Sequence, residues 1–346
     1  MRAALALARR GLGRVAPNPA VGCVLVREGV VLARARTGDG GRPHAEEVAL
    51  RTVGAAARGA TAYVTLEPCA HDRQGGSCAQ KLAAAGIARA VLALRDPDPR
   101  TAGRGVGILA AAGIEVLEDV CTAEAQAVNA GYVLARTANR PLVTLKVAAS
   151  LDGRVALASG ESRWVTGPAA RLRGHMERAR HDAILVGIGT ALADDPALTT
   201  RLPGVTHNPV RIVLDRRARL PHGARLARPG TWLVCEQAAH IPGVRVLSGS
   251  TGIRAVLGRL AKEGITRLLV EGGPTVITSF LQSGLWDRLL LFRAPSLLGA
   301  DARAAIGPLA LTDIASGPRV ILDSREVLGA DILEVYRPEP QSCAKA

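Results

Sequence analysis

His44-Ala45-Glu46, followed by Thr65-Leu66-Glu67-Pro68-Cys69 and then by Cys78, is the part of this chain that carries the most chemistry. One neutral imidazole and two thiolates fill three corners of a zinc tetrahedron and leave the fourth open to a water, whose pKa the metal lowers towards neutrality. Glu46 stands two residues after His44, on the first turn of the apolar-periodic stretch Ala45–Val53, so its carboxylate projects beside the metal without binding it. There it can carry a proton from water to a departing amine, as hydrolytic deamination requires. Pro68 ends a strand over 62–66 and is expected to direct Cys69 onto the start of the next element. Taken singly these residues read as buried thiols and a helix-capping histidine; their joint order and spacing select a metal site. Eight residues, 70–77, separate the two cysteines, a span that can close on one ion as a loop. Cys23, Cys121, Cys235 and Cys343 read as packing or surface residues.

The remaining composition bounds the fold. A chain of 346 residues is too long for one ordinary core and implies two domains. Hydrophobic residues make up 48% but aromatics only 2%, so Val, Leu, Ile and Ala must fill the cores. Six cysteines without a disulfide-like framework, and the lack of a charged-then-apolar leader, imply the cytoplasm. No apolar run is long enough to span a bilayer. The net charge of +14 suggests anionic ligands, yet no basic block interleaves with aromatics on which bases could stack, which argues against nucleic acid and for small phosphorylated substrates.

Short apolar strands near 21–26, 30–35, 62–66, 90–94 and 114–117 alternate with helical stretches at 3–10, 45–53, 78–85, 105–112 and 123–136, the pattern of a three-layer α/β unit. The turn residues and proline of Thr137-Ala138-Asn139-Arg140-Pro141 mark the boundary, dividing 1–138 from 139–346. Strands then restart at 142–149, 183–187, 210–214, 231–235 and 268–270, with helices between them, notably 251–262 and 275–283. A mostly parallel open sheet follows, with ligands expected at the carboxyl ends of its strands. Val270-Glu271-Gly272-Gly273-Pro274-Thr275 is a strand, a glycine turn and a helix start. It can offer backbone N–H groups to a phosphate or simply connect two elements tightly. Neither it nor Val186-Gly187-Ile188-Gly189-Thr190 carries a G-x-G-x-x-G fingerprint.

In combination these motifs resemble a known family. Pro17-Asn18-Pro19-Ala20-Val21-Gly22-Cys23, His44-Ala45-Glu46, Thr65-Leu66-Glu67-Pro68-Cys69-Ala70-His71 and Asp96-Pro97-Asp98-Pro99 are similar to the deaminase half of the bifunctional riboflavin-biosynthesis deaminase/reductases. Lys146 to Arg154 (KVAASLDGR), Gly160-Glu161-Ser162-Arg163-Trp164, Asp194-Asp195-Pro196-Ala197-Leu198 and Glu271-Gly272-Gly273-Pro274-Thr275 resemble the reductase half, in the family's order. The resemblance covers nearly the whole chain. It implies a cytidine-deaminase-like α/β/α domain followed by a dihydrofolate-reductase-like α/β domain. It also implies two activities: hydrolytic removal of the 2-amino group of 2,5-diamino-6-(5-phosphoribosylamino)pyrimidin-4(3H)-one, then NADPH-dependent reduction of the ribosyl group of 5-amino-6-(5-phosphoribosylamino)uracil to ribityl. A homo-oligomer is expected.

By motif, the resemblance implies zinc at His44, Cys69 and Cys78, Glu46 as proton shuttle, and Asn18 at the deaminase substrate. It implies cofactor positions at Ala148, Trp164, Thr190 and Asp194 and a pyrophosphate cradle at Gly273, Pro274 and Thr275. Substrate positions fall at Ser162, Arg178, Leu198, Arg201 and Glu271. Lys146 can act there too or snorkel from its strand. Arg178 and Arg201 suit bidentate phosphate contacts, and Glu271 can accept from ribose hydroxyls. Arg216 stands where the family has a small hydroxyl residue after the strand aspartate, Asp215, and an arginine beside an adenosine 2′-phosphate favours NADPH over NADH. Departures gather in the deaminase half. The 70–77 loop lacks the family's usual basic residue, threonine and prolines, with Arg73 as the possible substitute anchor; Thr37 and Val48 replace histidines. These changes keep open a reductase with a silent zinc domain, and the net charge keeps open a nucleic-acid base deaminase.

Overall fold

A computed structural model describes residues 1–71 and 76–340, so Arg73 and Cys343 lie outside the described residues. The chain divides into two compact units, Met1–Pro141 with Gly264–Thr266, and Leu142–Glu263 with the chain from Arg267 onward.

In the first unit α1 (Arg2–Arg9) precedes the hairpin β1 (Gly22–Arg27) and β2 (Val30–Arg36). Then come α2 (Ala45–Val53), β3 (Thr61–Val64), α3 (Cys78–Ala84), β4 (Arg89–Leu92), α4 (Arg104–Ala111), β5 (Glu115–Leu117) and α5 (Thr122–Thr137). The sheet order is β2-β1-β3-β4-β5; β1 runs antiparallel to both neighbours, while β3, β4 and β5 are parallel. Two cores flank it. Ala45, Ala49, Leu82 and Leu109 bring α2, α3 and α4 into one with Leu25, Val64 and Leu92. Leu5, Ala8, Ala125 and Val128 bring α1 and α5 into the other. Alanine on the inward helix faces lets helices approach closely, which offsets the shortage of aromatics.

The second unit holds β6 (Leu142–Ala149), β7 (Arg154–Ala156), α6 (Pro168–Ala179), β8 (Ala183–Gly187), α7 (Ile188–Asp194), β9 (Val210–Leu214), β10 (Thr231–Cys235) and β11 (Val244–Ser248). It continues with α8 (Ile253–Lys262), β12 (Arg267–Val270), α9 (Pro274–Ser283), β13 (Arg288–Arg293), β14 (Arg303–Ala304), β15 (Val320–Leu328) and β16 (Asp331–Pro338). Nine strands form one sheet in the order β11-β10-β9-β8-β12-β6-β13-β16-β15. It is parallel through β13 and antiparallel for the last two pairings. β8 and β12 are buried at every residue, as continuous apolar strands covered on both faces must be. The carboxyl ends of β6, β8, β9 and β12 lie at one edge of the sheet, where a binding site is expected in an open parallel fold. Among the described residues no helix is long and apolar enough to cross a membrane.

Candidate active sites

In the first unit, three separately held stretches of chain converge. His44 is the N-cap of α2; its backbone is extended, and its carbonyl accepts from Val48 N at 3.1 Å. The ring Nδ1 lies 3.3 Å from Cys78 Sγ and 3.7 Å from Cys69 Sγ, and the three ligand atoms fall within 4.8 Å of one another. Two ligands at ordinary zinc distances and a tetrahedral angle stand roughly 3.5–3.8 Å apart, so the donor set and its spacing fit this metal.

Cys69 lies in irregular chain rather than at the start of an element, and α3 begins at Cys78, as expected. The carboxylate of Glu67, 3% exposed, accounts for this by accepting backbone N–H groups from Asp96 (3.3 Å), Gly103 (3.1 Å), Gly105 (2.9 Å) and Val106 (3.2 Å). That clamp fastens the segment before Cys69 to the start of α4. A Cβ at Gly105 would stand 2.1 Å from the Pro68 carbonyl oxygen, so the approach requires glycine. Cys78 is held by a capping box: Gln80 N donates to Ser77 Oγ at 3.3 Å, and Ser77 N donates to Gln80 Oε1 at 2.7 Å.

Electrostatics follow from this packing. The Cys78 thiol donates to Cys69, which with His44 holds Cys69 at about 4 and drives Cys78 well above the thiol range. His44 is raised, chiefly by its hydrogen bond to Cys69. Burial lifts the Glu46 carboxyl to about 7 against the opposing pull of His44. A carboxyl poised near neutrality beside a metal-type cluster can both take up and return a proton.

Asn18, in the irregular chain before β1, donates its Nδ2 to Gly41 O at 2.8 Å. Thr37 is 2% exposed; its hydroxyl accepts from Val21 N at 3.0 Å and donates to Pro19 O at 3.2 Å, which occupies it within the fold. Val48 packs against the core.

The second unit contains a cavity of about 1000 Å³ at the strand ends. Lys146 and Ala148 of β6, Ser162 and Trp164 ahead of α6, Arg178 of α6, and Thr190 and Asp194 of α7 line it. So do Leu198 and Arg201 beyond α7, Arg216 beyond β9, and Glu271, Gly273, Pro274 and Thr275 around the start of α9. Among these lining residues Arg178 and Glu271 form a two-pronged ion pair, Nε to Oε1 and Nη2 to Oε2 at 2.8 Å each, and Arg178 Nη1 donates to Thr199 O at 3.1 Å. Lys146 Nζ lies 3.8 Å from Glu271 Oε2. Burial alone would push the Glu271 carboxyl up, but Arg178 and Lys146 hold it at about 2. The fork of Arg178 that the sequence offers to phosphate is therefore directed largely at Glu271. At the glycine turn Gly273 N donates to Thr190 Oγ1 at 3.0 Å, and a Cβ at Gly272 would meet Val276 at 2.6 Å. The turn thus packs closely on α9, and the Gly273 N–H that the sequence offers to a phosphate is engaged by Thr190.

Trp164 is 67% exposed with Arg171 over its ring at 4.6 Å, and Arg163 Nη2 donates to Asp194 O at 2.9 Å. Arg216 is paired with Glu236, Nε to Oε1 at 2.7 Å. Two further arginines, Arg219 and Arg225, line this end of the cavity. No periodicity or motif in the sequence singles them out; they are brought in by the irregular chain between β9 and β10. Glu67 is also missing from the sequence reading as an anchor, although its place directly before Pro68-Cys69 is a signal that could have found it.

The comparisons with known proteins cover the same two regions. The family described as the cytidine and deoxycytidylate deaminase zinc-binding region matches residues 1–94, and that described as the RibD C-terminal domain matches residues 141–333. The riboflavin biosynthesis protein RibD of Escherichia coli (strain K12) is 40% identical over 354 residues, with 96% of each chain covered. Acinetobacter baumannii RibD superposes with a TM-score of 0.92 at 40% identity, covering 98% of this chain and 97% of that one. A diaminohydroxyphosphoribosylaminopyrimidine deaminase/5-amino-6-(5-phosphoribosylamino)uracil reductase from Thermotoga maritima superposes at 0.91 with 34% identity and the same coverage. With identity at this level sustained from end to end and both regions matched, the chain belongs to the RibD family of riboflavin biosynthesis proteins.

Proposed function

We propose that the first unit hydrolytically deaminates 2,5-diamino-6-(5-phosphoribosylamino)pyrimidin-4(3H)-one and that the second reduces the ribosyl group of the resulting uracil to ribityl with NADPH. The family acts in riboflavin biosynthesis, and its deaminase and reductase parts are both present in this chain. The single observation that most supports the full reading is that one chain holds the compact His44, Cys69 and Cys78 cluster, with Glu46 beside it, as well as a large cavity lined by Glu271. In the deaminase half His44, Cys69 and Cys78 would hold zinc, which supplies an activated water when bound. Glu46 would move the proton to the leaving nitrogen, and Asn18 would help position the substrate. In the reductase half hydride delivery belongs to the nicotinamide. The chain's own work there is to orient it between β6, Trp164 and α7, to seat the pyrophosphate at the start of α9, and to hold the substrate with Lys146, Ser162, Arg178, Leu198, Arg201 and Glu271.

Ammonia release and NADPH oxidation, followed separately on the diaminopyrimidine substrate, test this reading. Both signals are expected. Chelator-treated protein should lose ammonia release, recover it on zinc addition, and oxidise NADPH throughout when supplied with pre-deaminated substrate. A second reading, a reductase with a silent zinc domain, is favoured by Thr37, whose hydroxyl is bound within the fold where the family has a histidine. Zinc-loaded protein that releases no ammonia would establish it.

The assembly is proposed to be a homo-oligomer. The edge strand β15 exposes Val320, Leu322 and Val327, the last at 73%, and an unpaired apolar edge is a template for a second copy. Light scattering is expected to give a dimer or larger, and Leu322→Lys with Val327→Lys is expected to give monomer; wild-type monomer would exclude it. The described cysteines are all free thiols, in keeping with a cytoplasmic protein.

A further inference from the structure

The arginines lining the second unit's cavity differ in what already holds them. Arg163 donates to a backbone carbonyl, Arg171 lies over Trp164, and Arg178 is bound by Glu271. Arg216 is exposed but engaged by Glu236. Arg219 has its Nε 3.5 Å from Asp215 Oδ1. That carboxylate, fully buried, also accepts from Leu220 N at 2.9 Å and from Arg219 N, so it works mainly as the anchor of the turn. Arg225, like Arg201 and Arg303 elsewhere on the lining, has no carboxylate within 4.0 Å of its guanidinium among the described residues. Its backbone is nonetheless fixed, because Arg225 N donates to Asp195 Oδ1 at 2.8 Å, and Asp195 is the left-handed C-cap of α7. The second acid of Asp194-Asp195-Pro196 thereby holds an unneutralised cation at the wall of the cavity.

Position in the sheet says which phosphate such a cation meets. The glycine turn that opens α9 follows β12, and β12 neighbours β8, whose other neighbour is β9. Arg216 and Arg219 follow the end of β9 directly. A dinucleotide with its pyrophosphate at α9 can lie across the strand ends with its adenosine towards β8 and β9, on the side where Arg216, Arg219 and Arg225 line the cavity. The geometry points to Arg225, seconded by Arg219, as the receptor for the 2′-phosphate of NADPH, with Arg216 held aside by Glu236. This inference rests on the nicotinamide-reductase reading above. Phosphate monoesters also occur on the pyrimidine substrate, but Arg201 is the arginine lining the cavity from the segment after α7, and it acts on His175 together with Arg178 and Glu271.

The test is the dissociation constants of NADPH and NADH for the full chain, read from energy transfer between tryptophan and the reduced nicotinamide. Competition by 2′-AMP and by ribose 5-phosphate is measured alongside. Wild type should bind NADPH more tightly than NADH. Arg225→Ala should shrink that ratio by about tenfold or more, the scale of one charge-assisted contact to phosphate, and weaken 2′-AMP in parallel. Arg219→Ala should shrink it less, Arg216→Ser less again, and Arg225→Lys should keep part of it. Unfolding midpoints identify any variant that has lost its fold, with Arg225→Lys then carrying the test. A ratio within twofold of wild type in both Arg225→Ala and Arg219→Ala overturns the assignment. So does weakened ribose 5-phosphate with the ratio intact, which would give these arginines to the substrate. Wild type that binds neither dinucleotide defeats the reductase reading itself, and this inference with it.

Discussion

Glu46→Gln should lower ammonia release by about 10²- to 10⁴-fold, the usual contribution of a positioned proton carrier. The amide keeps the shape of a side chain only 3% exposed in the wall of α2, so packing changes little. It removes only the capacity to accept and return a proton. Zinc bound per chain, measured by atomic emission, should match wild type because His44, Cys69 and Cys78 are untouched. NADPH oxidation on pre-deaminated substrate should also match, since the Glu271 cavity belongs to the other unit. Ammonia release within tenfold of wild type would remove Glu46 from the chemistry.

Glu271→Gln is expected to destabilise the second unit strongly. It leaves Arg178 and Lys146 facing a neutral amide in a buried setting, and breaking one side of such a pair costs about 3–5 kcal/mol. At roughly 2–4 °C per kcal/mol the unfolding midpoint should fall by about 6–20 °C. The pH dependence has a definite sign. The carboxyl sits at about 2 in the folded chain and near its ordinary value of 4.5 when unfolded. Its contribution is therefore complete above about pH 4.5 and is lost as pH falls from there towards 2. Wild type and variant should converge in stability at acid pH. NADPH oxidation should be lost while ammonia release survives. The double variant Glu271→Met with Arg178→Met should regain stability over Glu271→Gln without regaining NADPH oxidation, because burying neither charge removes the penalty but not the need for the site. A midpoint within 2 °C of wild type for Glu271→Gln would show that the pair is not buried as described.

The deaminase-type site was legible because metal chemistry dictates residue type. Only a few side chains bind zinc, and His44, Glu46, Cys69 and Cys78 keep the order that the chemistry demands. The placement of Cys69 was misread because the clamp at Glu67 is made with backbone N–H groups 29 to 39 residues away, which no local pattern encodes. In the second unit β8 and β12 announce themselves as apolar runs. α6 does not, since it buries Ala170, Gly174 and Glu177, small or charged residues that give no apolar stripe. β15 escapes notice because it is an exposed edge whose register shifts between Leu322 and Ser324, breaking the alternation. The cavity residues come from at least six stretches of chain. Only the family resemblance gathered them in advance, and it could not foresee that Arg178 and Glu271, 93 residues apart, would bind each other.

Each cysteine has its own anchor, Cys69 through Glu67 to the start of α4 and Cys78 through the Ser77–Gln80 box to its own helix, and Cys78 N also donates to Cys69 Sγ at 3.4 Å. The anchoring groups lie outside residues 70–76. That span is consequently a region in which evolution can lengthen, shorten or rewrite the chain while the metal stays put. Substrate choice can then change there without retuning the catalyst.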